Sequence, residues 1–241
     1  MRRFFAEPKC FSEREVVLSR EESKHLRDVL RLREGERISV FDGAGNEFLC
    51  LIKKIEREKS MLEILEKINA PAPESDLNLT LAIALLKGEK FDLVVQKATE
   101  LGAKRIVPLG TKRADVKLKD ESDATKKMER WRRIALEAAK QSGRSVVPVI
   151  EMPILFENFV KNETGILFAE RGGANLHQSL EMFDRNLTAI VGAEGGWETA
   201  EIDSARENNF QIVTLGGRIL RAETAAITVV SLLQHLRGDL R

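Results

Sequence analysis

Two glycine-bearing stretches, Val191–Trp197 (VGAEGGW) and Leu215–Ala225 (LGGRILRAETA), decide how this chain is read. Each follows or continues a run rich in β-branched residues, Thr188–Val191 and Phe210–Leu215, the pattern of parallel strands that are buried on both faces and end in tight turns. Gly192, Gly195, Gly196, Gly216 and Gly217 permit positive φ and let a ligand lie against bare backbone. The stretches lack the Lys and Ser/Thr of a phosphate-cradling P-loop, and neither has the glycine spacing of the dinucleotide fingerprint. The ligand they predict is a nucleoside without phosphates rather than ATP or NAD.

Working outward, strands and helices alternate. The pattern gives a strand over Leu77–Leu86, a helix over Glu89–Leu101, a strand over Arg105–Pro108, a helix over Ala124–Ser142, a strand over Gly165–Phe168 and a closing helix over Glu223–Arg237. Such alternation predicts an α/β fold with a parallel sheet and crossover helices. The Pro-rich stretch Asn69–Ser75 (NAPAPES) marks a boundary, giving expected domains of residues 1–70 and 74–241. Upstream, Glu15–Leu18, Arg37–Asp42, Glu47–Ile55 and Ser60–Ile68 alternate apolar and polar residues, a small β-rich domain punctuated by Gly35 and Gly43–Gly45. One helix interrupts it, with Ser19 and Glu22 as a capping box and His25, Leu26, Val29 and Leu30 on one face.

With 43% hydrophobic residues in 241, the chain has ample material for a core. Its longest apolar runs, Leu77–Leu86 and Ala225–Leu233, are broken by polar residues or too short to span a bilayer. The opening MRRFFAE lacks the apolar core of a secretory signal, so a cytoplasmic location is expected. Cys10 and Cys50 are far apart, and His177 and His235 have no carboxylate or cysteine at useful spacing, so neither a disulfide framework nor a metal site is suggested. The net charge of +1 hides an asymmetry. Residues 104–145 carry 13 basic and 6 acidic side chains, and residues 146–241 carry 8 and 13. The basic segment, with Lys112, Arg113, Lys117, Lys119, Lys126, Lys127, Arg130, Arg132, Arg133, Lys140 and Arg144, reads either as a phosphate-binding face or as a solvated helix surface.

The glycine stretches occur together with Arg3-Phe4-Phe5, His25–Leu32 (HLRDVLRL), Lys97–Pro108 (KATELGAKRIVP) and Glu137–Arg144 (EAAKQSGR). In this order they resemble the SPOUT methyltransferases, and most closely the RsmE family, which methylates N3 of a uridine in the decoding region of 16S ribosomal RNA. The family's loops read close to GPEGG and LGxRILRxETA. The second is complete here, and Ala193 stands where proline is usual, which loosens one φ angle. The resemblance spans essentially the whole chain. It implies a trefoil-knotted SPOUT domain after a PUA-like barrel that holds RNA, S-adenosylmethionine as cofactor, and the 16S rRNA of the small ribosomal subunit as partner. It also implies a homodimer without metal or membrane attachment. Other readings are a SPOUT enzyme acting on transfer RNA or a ribose 2′-hydroxyl, and a non-catalytic RNA-binding assembly factor.

By the same resemblance, three loops surround the adenosyl group, with Leu167, Gly192, Glu194, Gly195, Gly196, Leu215, Gly216, Ile219 and Leu220 as cofactor residues; each leucine also reads as ordinary core. Glu194 is a candidate general base or counter-charge to the sulfonium, or else a cap for a helix starting near Glu198. Methylation at N3 requires loss of the imide proton and stabilisation of an anion spread over N3 and two carbonyl oxygens. Arg221 is the first candidate for that role, with Arg144 or Arg3 contributed across a dimer interface. Arg221 and Glu223 read equally as a pair with each other. An N3 edge is hidden in a paired stem, so the uridine must be unpaired or swung out. Tyr is absent, which makes Trp197 the stacking candidate, with a core filler as its other reading. Arg3, His25, Arg31, Lys112, Arg113, Arg144 and Trp197 are the expected RNA-facing set.

Overall fold

The computed structural model describes residues 2–116 and 120–240, which fall into two compact units. One comprises the chain up to Glu74 together with Ala139–Val147, the other Ser75–Ala138 and everything from Pro148 onward. Residues 139–147 thus group with the amino-terminal unit, which a single cut between 70 and 74 does not express. Lys117 and Lys119 of the basic segment lie outside the described residues.

In the first unit, the strands β1 (Arg3–Phe5), β2 (Glu15–Leu18), β3 (Arg37–Phe41), β4 (Glu47–Ile55) and β5 (Ser60–Ile68) form a sheet in the order β1-β3-β4-β5-β2. Only the β1–β3 pair is parallel. Register shifts at Leu49/Cys50 and Ile52/Lys54 let the long β4–β5 ribbon bend over its own core of Phe4, Val16, Leu18, Ile38, Val40 and Leu62. Burial pushes the Cys50 thiol up to about 12.

Helix α1 (Arg20–Lys24) starts as expected on Ser19, whose Oγ accepts the Glu22 N–H at 3.3 Å. The other half of the capping box is used differently, because the Glu22 carboxylate accepts the Phe5 N–H at 3.5 Å and pairs with Lys140. The helix then widens into a π turn, His25–Val29, where the Leu30 N–H reaches the His25 carbonyl at 3.0 Å. The extra residue in that turn rotates the helix face. Leu26 is fully buried while Val29 is 63% exposed, so the expected four-residue apolar face splits.

Arg3 ties residues 139–147 to this sheet. Its guanidinium donates to the Glu47 carboxylate (2.9 and 3.0 Å), to the Ala139 carbonyl (3.1 Å) and to the Arg144 carbonyl (2.6 Å), and lies 4.0 Å above the Phe41 ring. Arg144 in turn donates to Glu74 at 2.7 Å, and Glu74 also accepts the Val146 N–H at 3.2 Å.

The second unit holds β6 (Asn78–Ala84), β7 (Arg105–Gly110), β8 (Val149–Ile150), β9 (Ile154–Leu155), β10 (Ile166–Phe168), β11 (Asn186–Val191) and β12 (Gln211–Val213). Their order is β12-β10-β11-β6-β7-β8, with β9 also on β7, and every pairing is parallel. The helices are α2 (Lys90–Glu100), α3 (Glu121–Ser142), α4 (Phe156–Val160), α5 (Leu176–Leu180), α6 (Thr199–Glu207) and α7 (Ala222–Arg237). Ala82, Val107, Leu167 and Ile190 form the dry centre of the sheet. Among the described residues no helix is long and apolar enough to cross a membrane, and no group of three or more His, Cys, Asp or Glu is placed to hold a metal ion.

The Arg3–Glu47 pair is nearly dry, with side chains 10% and 1% exposed. Replacing Arg3 with Met strands a buried carboxylate and is expected to cost about 3 kcal/mol in urea unfolding. Arg3→Lys should recover less than half of that loss, because an ammonium cannot fork between a carboxylate and two carbonyls. At pH 8, thiol alkylation followed by mass spectrometry should label half-buried Cys10 and spare Cys50.

Candidate active site

Because all strands of the second sheet point one way, their carboxyl ends share an edge, and the loops after β10, β11 and β12 converge there. Between them lies a cleft of about 560 Å³, mouth included, of which only about 70 Å³ admits the centre of a water-sized sphere. So narrow a slot suits a flat ring between aliphatic walls. Gly192, Gly196, Leu215, Gly216, Ile219 and Leu220 line it as expected.

Three other expected cofactor residues do not. Leu167 is fully buried in the sheet core, and the residues after it, Phe168 to Glu170, reach the cleft instead. Gly195 lies beneath Arg113, where an added Cβ would stand 3.0 Å from the arginine's own Cβ. Glu194 turns to Lys90, at 2.8 Å.

The bare backbone expected at the glycines has specific causes. A Cβ on Gly192 would come within 3.0–3.3 Å of the Trp197 indole. Gly196, at φ +67°, faces Glu170, whose Oε1 would lie 3.1 Å from an added Cβ. Trp197 itself corrects an expectation. Its Nε1 donates to the Phe168 carbonyl at 2.9 Å, its ring packs against Phe156 with centroids 5.1 Å apart, and the residue is 9% exposed. With its ring engaged in this way it is a wall of the cleft, not a platform for a swung-out base. Sequence reading missed Glu170; its position at the end of a third parallel strand was the available signal.

Charge gathers beside the cleft in a set of residues distant in sequence. Burial raises the Glu194 carboxyl, but the hydrogen bond from Lys90 and a backbone hydrogen bond outweigh it and hold the group below the usual glutamate value. Lys90 is raised in turn, chiefly by that same hydrogen bond. Its Nζ also lies 4.0 Å from Glu223 Oε2, a buried oxygen with no hydrogen-bond partner among the described residues. Glu223 therefore faces Lys90, and no ion pair joins it to Arg221 among the described residues. Arg221 is exposed at the N-cap of α7. The helix α6 is capped by Glu198 with Glu201 in a reciprocal capping box, so that role does not fall to Glu194.

The expected RNA-facing residues divide. Arg3 and Arg144 are structural, since the partners described above consume their donors and leave side chains 10% and 5% exposed. His25 and Arg31 are exposed at the π turn, with His25 edge-on to Phe4 and Arg31 at φ +52°. Lys112 pairs with Glu157 at 3.1 Å, and exposed Arg113 donates to the Gly195 carbonyl at 3.1 Å, which places it against the glycine loop. On α3, Lys127 and Arg130 pair with Asp123 and Asp92. Lys126, Arg132 and Arg133 are exposed, without an ion pair among the described residues.

Gly192→Ala is expected to weaken S-adenosylmethionine binding at least tenfold by calorimetry, because the indole behind it is fixed at both its nitrogen and its face. Gly217→Ala, with nothing within 4 Å of its added Cβ and no positive φ, should bind as the parent does.

Residues 73–234 match the model of an RNA methyltransferase domain and residues 18–65 that of an RNA methyltransferase PUA domain. The chain is 33% identical to the ribosomal RNA small subunit methyltransferase E of Mesomycoplasma hyopneumoniae, over 96% of this chain and 98% of the relative. It is 35% identical to the protein of the same name from Synechocystis sp., over 97% and 77%. Among solved structures it is similar to the ribosomal RNA small subunit methyltransferase E of Neisseria gonorrhoeae bound to S-adenosylmethionine, with a TM-score of 0.90, 32% identity and all of both chains covered. It is also similar to a methyltransferase of Legionella pneumophila in complex with the same cofactor, with a TM-score of 0.89, 32% identity and 99% and 98% covered. A glycine-walled cleft at the carboxyl edge of a parallel sheet, and these likenesses over the full length, place the chain in the ribosomal RNA small subunit methyltransferase E family.

Proposed function

We propose that this S-adenosylmethionine-dependent RNA methyltransferase acts on N3 of a uridine in the decoding region of 16S ribosomal RNA, in the small ribosomal subunit. The observation that carries the reading is the cleft with bare backbone at Gly192 and Gly196, beside which Arg221, between the lining residues Leu220 and Ala222, is a solvent-exposed cation. The relatives' names supply the class of RNA. When bound, the cofactor supplies an electrophilic methyl group on a positively charged sulfur.

The remaining chemistry falls to this chain's own residues. Arg221, between the cleft residues Leu220 and Ala222, stabilises the anion that develops over uracil N3 and its carbonyl oxygens. Glu194, held ionised by Lys90 beside the cleft, balances the cofactor's charge and receives the imide proton. A carboxylate held this low is a weak base, so alignment of the two reactants supplies the larger share of the rate. Arg113 binds RNA phosphates beside the glycine loop; in the amino-terminal unit, His25 and Arg31 contact RNA. Lys126, Arg132 and Arg133 add sequence-independent attraction.

The same proposal includes the trefoil knot, a cytoplasmic location and a homodimer. The half-buried face of α7, with Leu232 and Leu236 lining an open hollow, is where a second copy packs.

Incubation with labelled cofactor and small subunits lacking the modification should yield labelled 3-methyluridine after RNA digestion. Label only in another nucleoside or another RNA would refute this substrate. Arg221→Met is expected to lower turnover about a hundredfold, the scale of losing one anion-stabilising donor, with cofactor affinity within about twofold of the parent.

A further inference from the structure

We propose that Lys90, the first residue of α2, is a positioning residue of the active site. Its single ammonium holds Glu194 of the glycine loop and Glu223 of the first turn of α7, and so fixes the two cofactor loops relative to each other. The inference deepens the methyl-transfer reading and rests on it for its effect on turnover.

Lys90 is oddly placed for a helix. A cation in the first turn opposes the helix dipole, which favours acidic residues there. The rest of α2 is firmly anchored by Phe91, Val94 and Val95, with Phe91 packed on Trp131 at 4.2 Å between centroids. A rigid helix therefore presents a charge that its own stability disfavours. What lies opposite accounts for it: two carboxylates from segments more than a hundred residues away, one at 2.8 Å and one at 4.0 Å. Without the ammonium these two acids would face each other, and the buried Glu223 oxygen, which has no hydrogen bond among the described residues, would have no compensating charge from α2. Of the three ammonium donors, one is engaged at hydrogen-bond distance. A shift of about 1 Å brings the second carboxylate into range, so the loops can tighten together on the same residue.

The other charged groups around Glu194 act in both directions. Asp115, after β7, raises its carboxyl, while Arg113 lies against Gly195 and Arg221 begins α7. Glu170 faces Gly196 on the far side of the loop. Lys90 provides the stabilising hydrogen bond from a side chain. Without it, burial and Asp115 are opposed by weaker influences, so the carboxyl titrates at higher pH. The charge that Glu194 offers the cofactor is then lost earlier as pH falls.

The test is S-adenosylmethionine affinity measured by calorimetry from pH 8 to pH 4.5 on the full chain. For the parent, affinity should hold until near the bottom of that range. For Lys90→Met its decline should begin at higher pH than in the parent, and turnover on small subunits at pH 7 should fall about tenfold, the scale of one charge-assisted hydrogen bond. Lys90→Arg should restore both. A Lys90→Met curve that overlies the parent's, or a Lys90→Arg variant as impaired as Lys90→Met, overturns the proposal. If Lys90→Met does not fold, the carboxyl carbon of Glu194 followed by NMR in the unaltered protein decides: titration below about 4.3, the ordinary glutamate value, supports the ion pair, and titration above it overturns it. Failure to methylate ribosomal RNA would remove the proposed substrate while leaving this binding result intact.

Discussion

The common direction of the second unit's strands is the constraint from which the rest of the site follows. Parallel pairing throughout sends every carboxyl end to one edge, so loops distant in sequence must meet there. Three of them close on a narrow slot, and at Gly192 and Gly196 an added methyl group would press on the residues that wall it, Trp197 and Glu170. Gly192 lies against a tryptophan that is itself locked by a hydrogen bond to the neighbouring strand's end. The indole's value is as an immovable wall. A more mobile side chain behind Gly192 would yield to a ligand and give less discrimination.

Electrostatics at this edge is a matter of pairing more than of net charge. The segment after residue 146 is acidic overall, and two of its acids converge at the cleft. A lysine from the opposite end of the domain compensates them and keeps Glu194 ionised. Arg221, one residue before the helix that carries Glu223, is left out of that pairing and stays open to solvent. An arginine free of carboxylate partners is the useful kind for an anionic transition state, because nothing must be broken before it acts.

In the amino-terminal unit the same residue type does the opposite work. Arg3 and Arg144 belong to motifs that suggest RNA contact, yet Arg3 spends its donors on Glu47 and on backbone carbonyls, and Arg144 donates to Glu74. Their arrangement explains why residues 139–147 fold with this unit. A guanidinium can satisfy two carbonyls and a carboxylate at once, so one side chain stitches a distant segment to a sheet edge. Of the expected RNA-facing residues in this unit, His25 and Arg31 remain outward, at a turn whose π geometry turns apolar Val29 to solvent as well.

By itself the sequence determined what is local or periodic. The alternation of strands and helices, the Ser19 cap, the glycine loops and the phosphate-free character of the ligand were all legible, because each depends on residues close together in the chain. Strand length was read less well where apolar runs continue past the last ladder bond, as Leu77–Leu86 does beyond β6. Only the tertiary structure decided which side chains reach the cleft and which charges find partners. That Leu167 packs inward, that Trp197 is a wall, and that Lys90 meets Glu194 and Glu223 all depend on contacts between segments distant in the chain, 29 residues apart for Trp197 and Phe168 and more than a hundred for Lys90 and its two acids. No spacing in a single sequence encodes such contacts, since they arise when parallel strands bring remote loops to one edge.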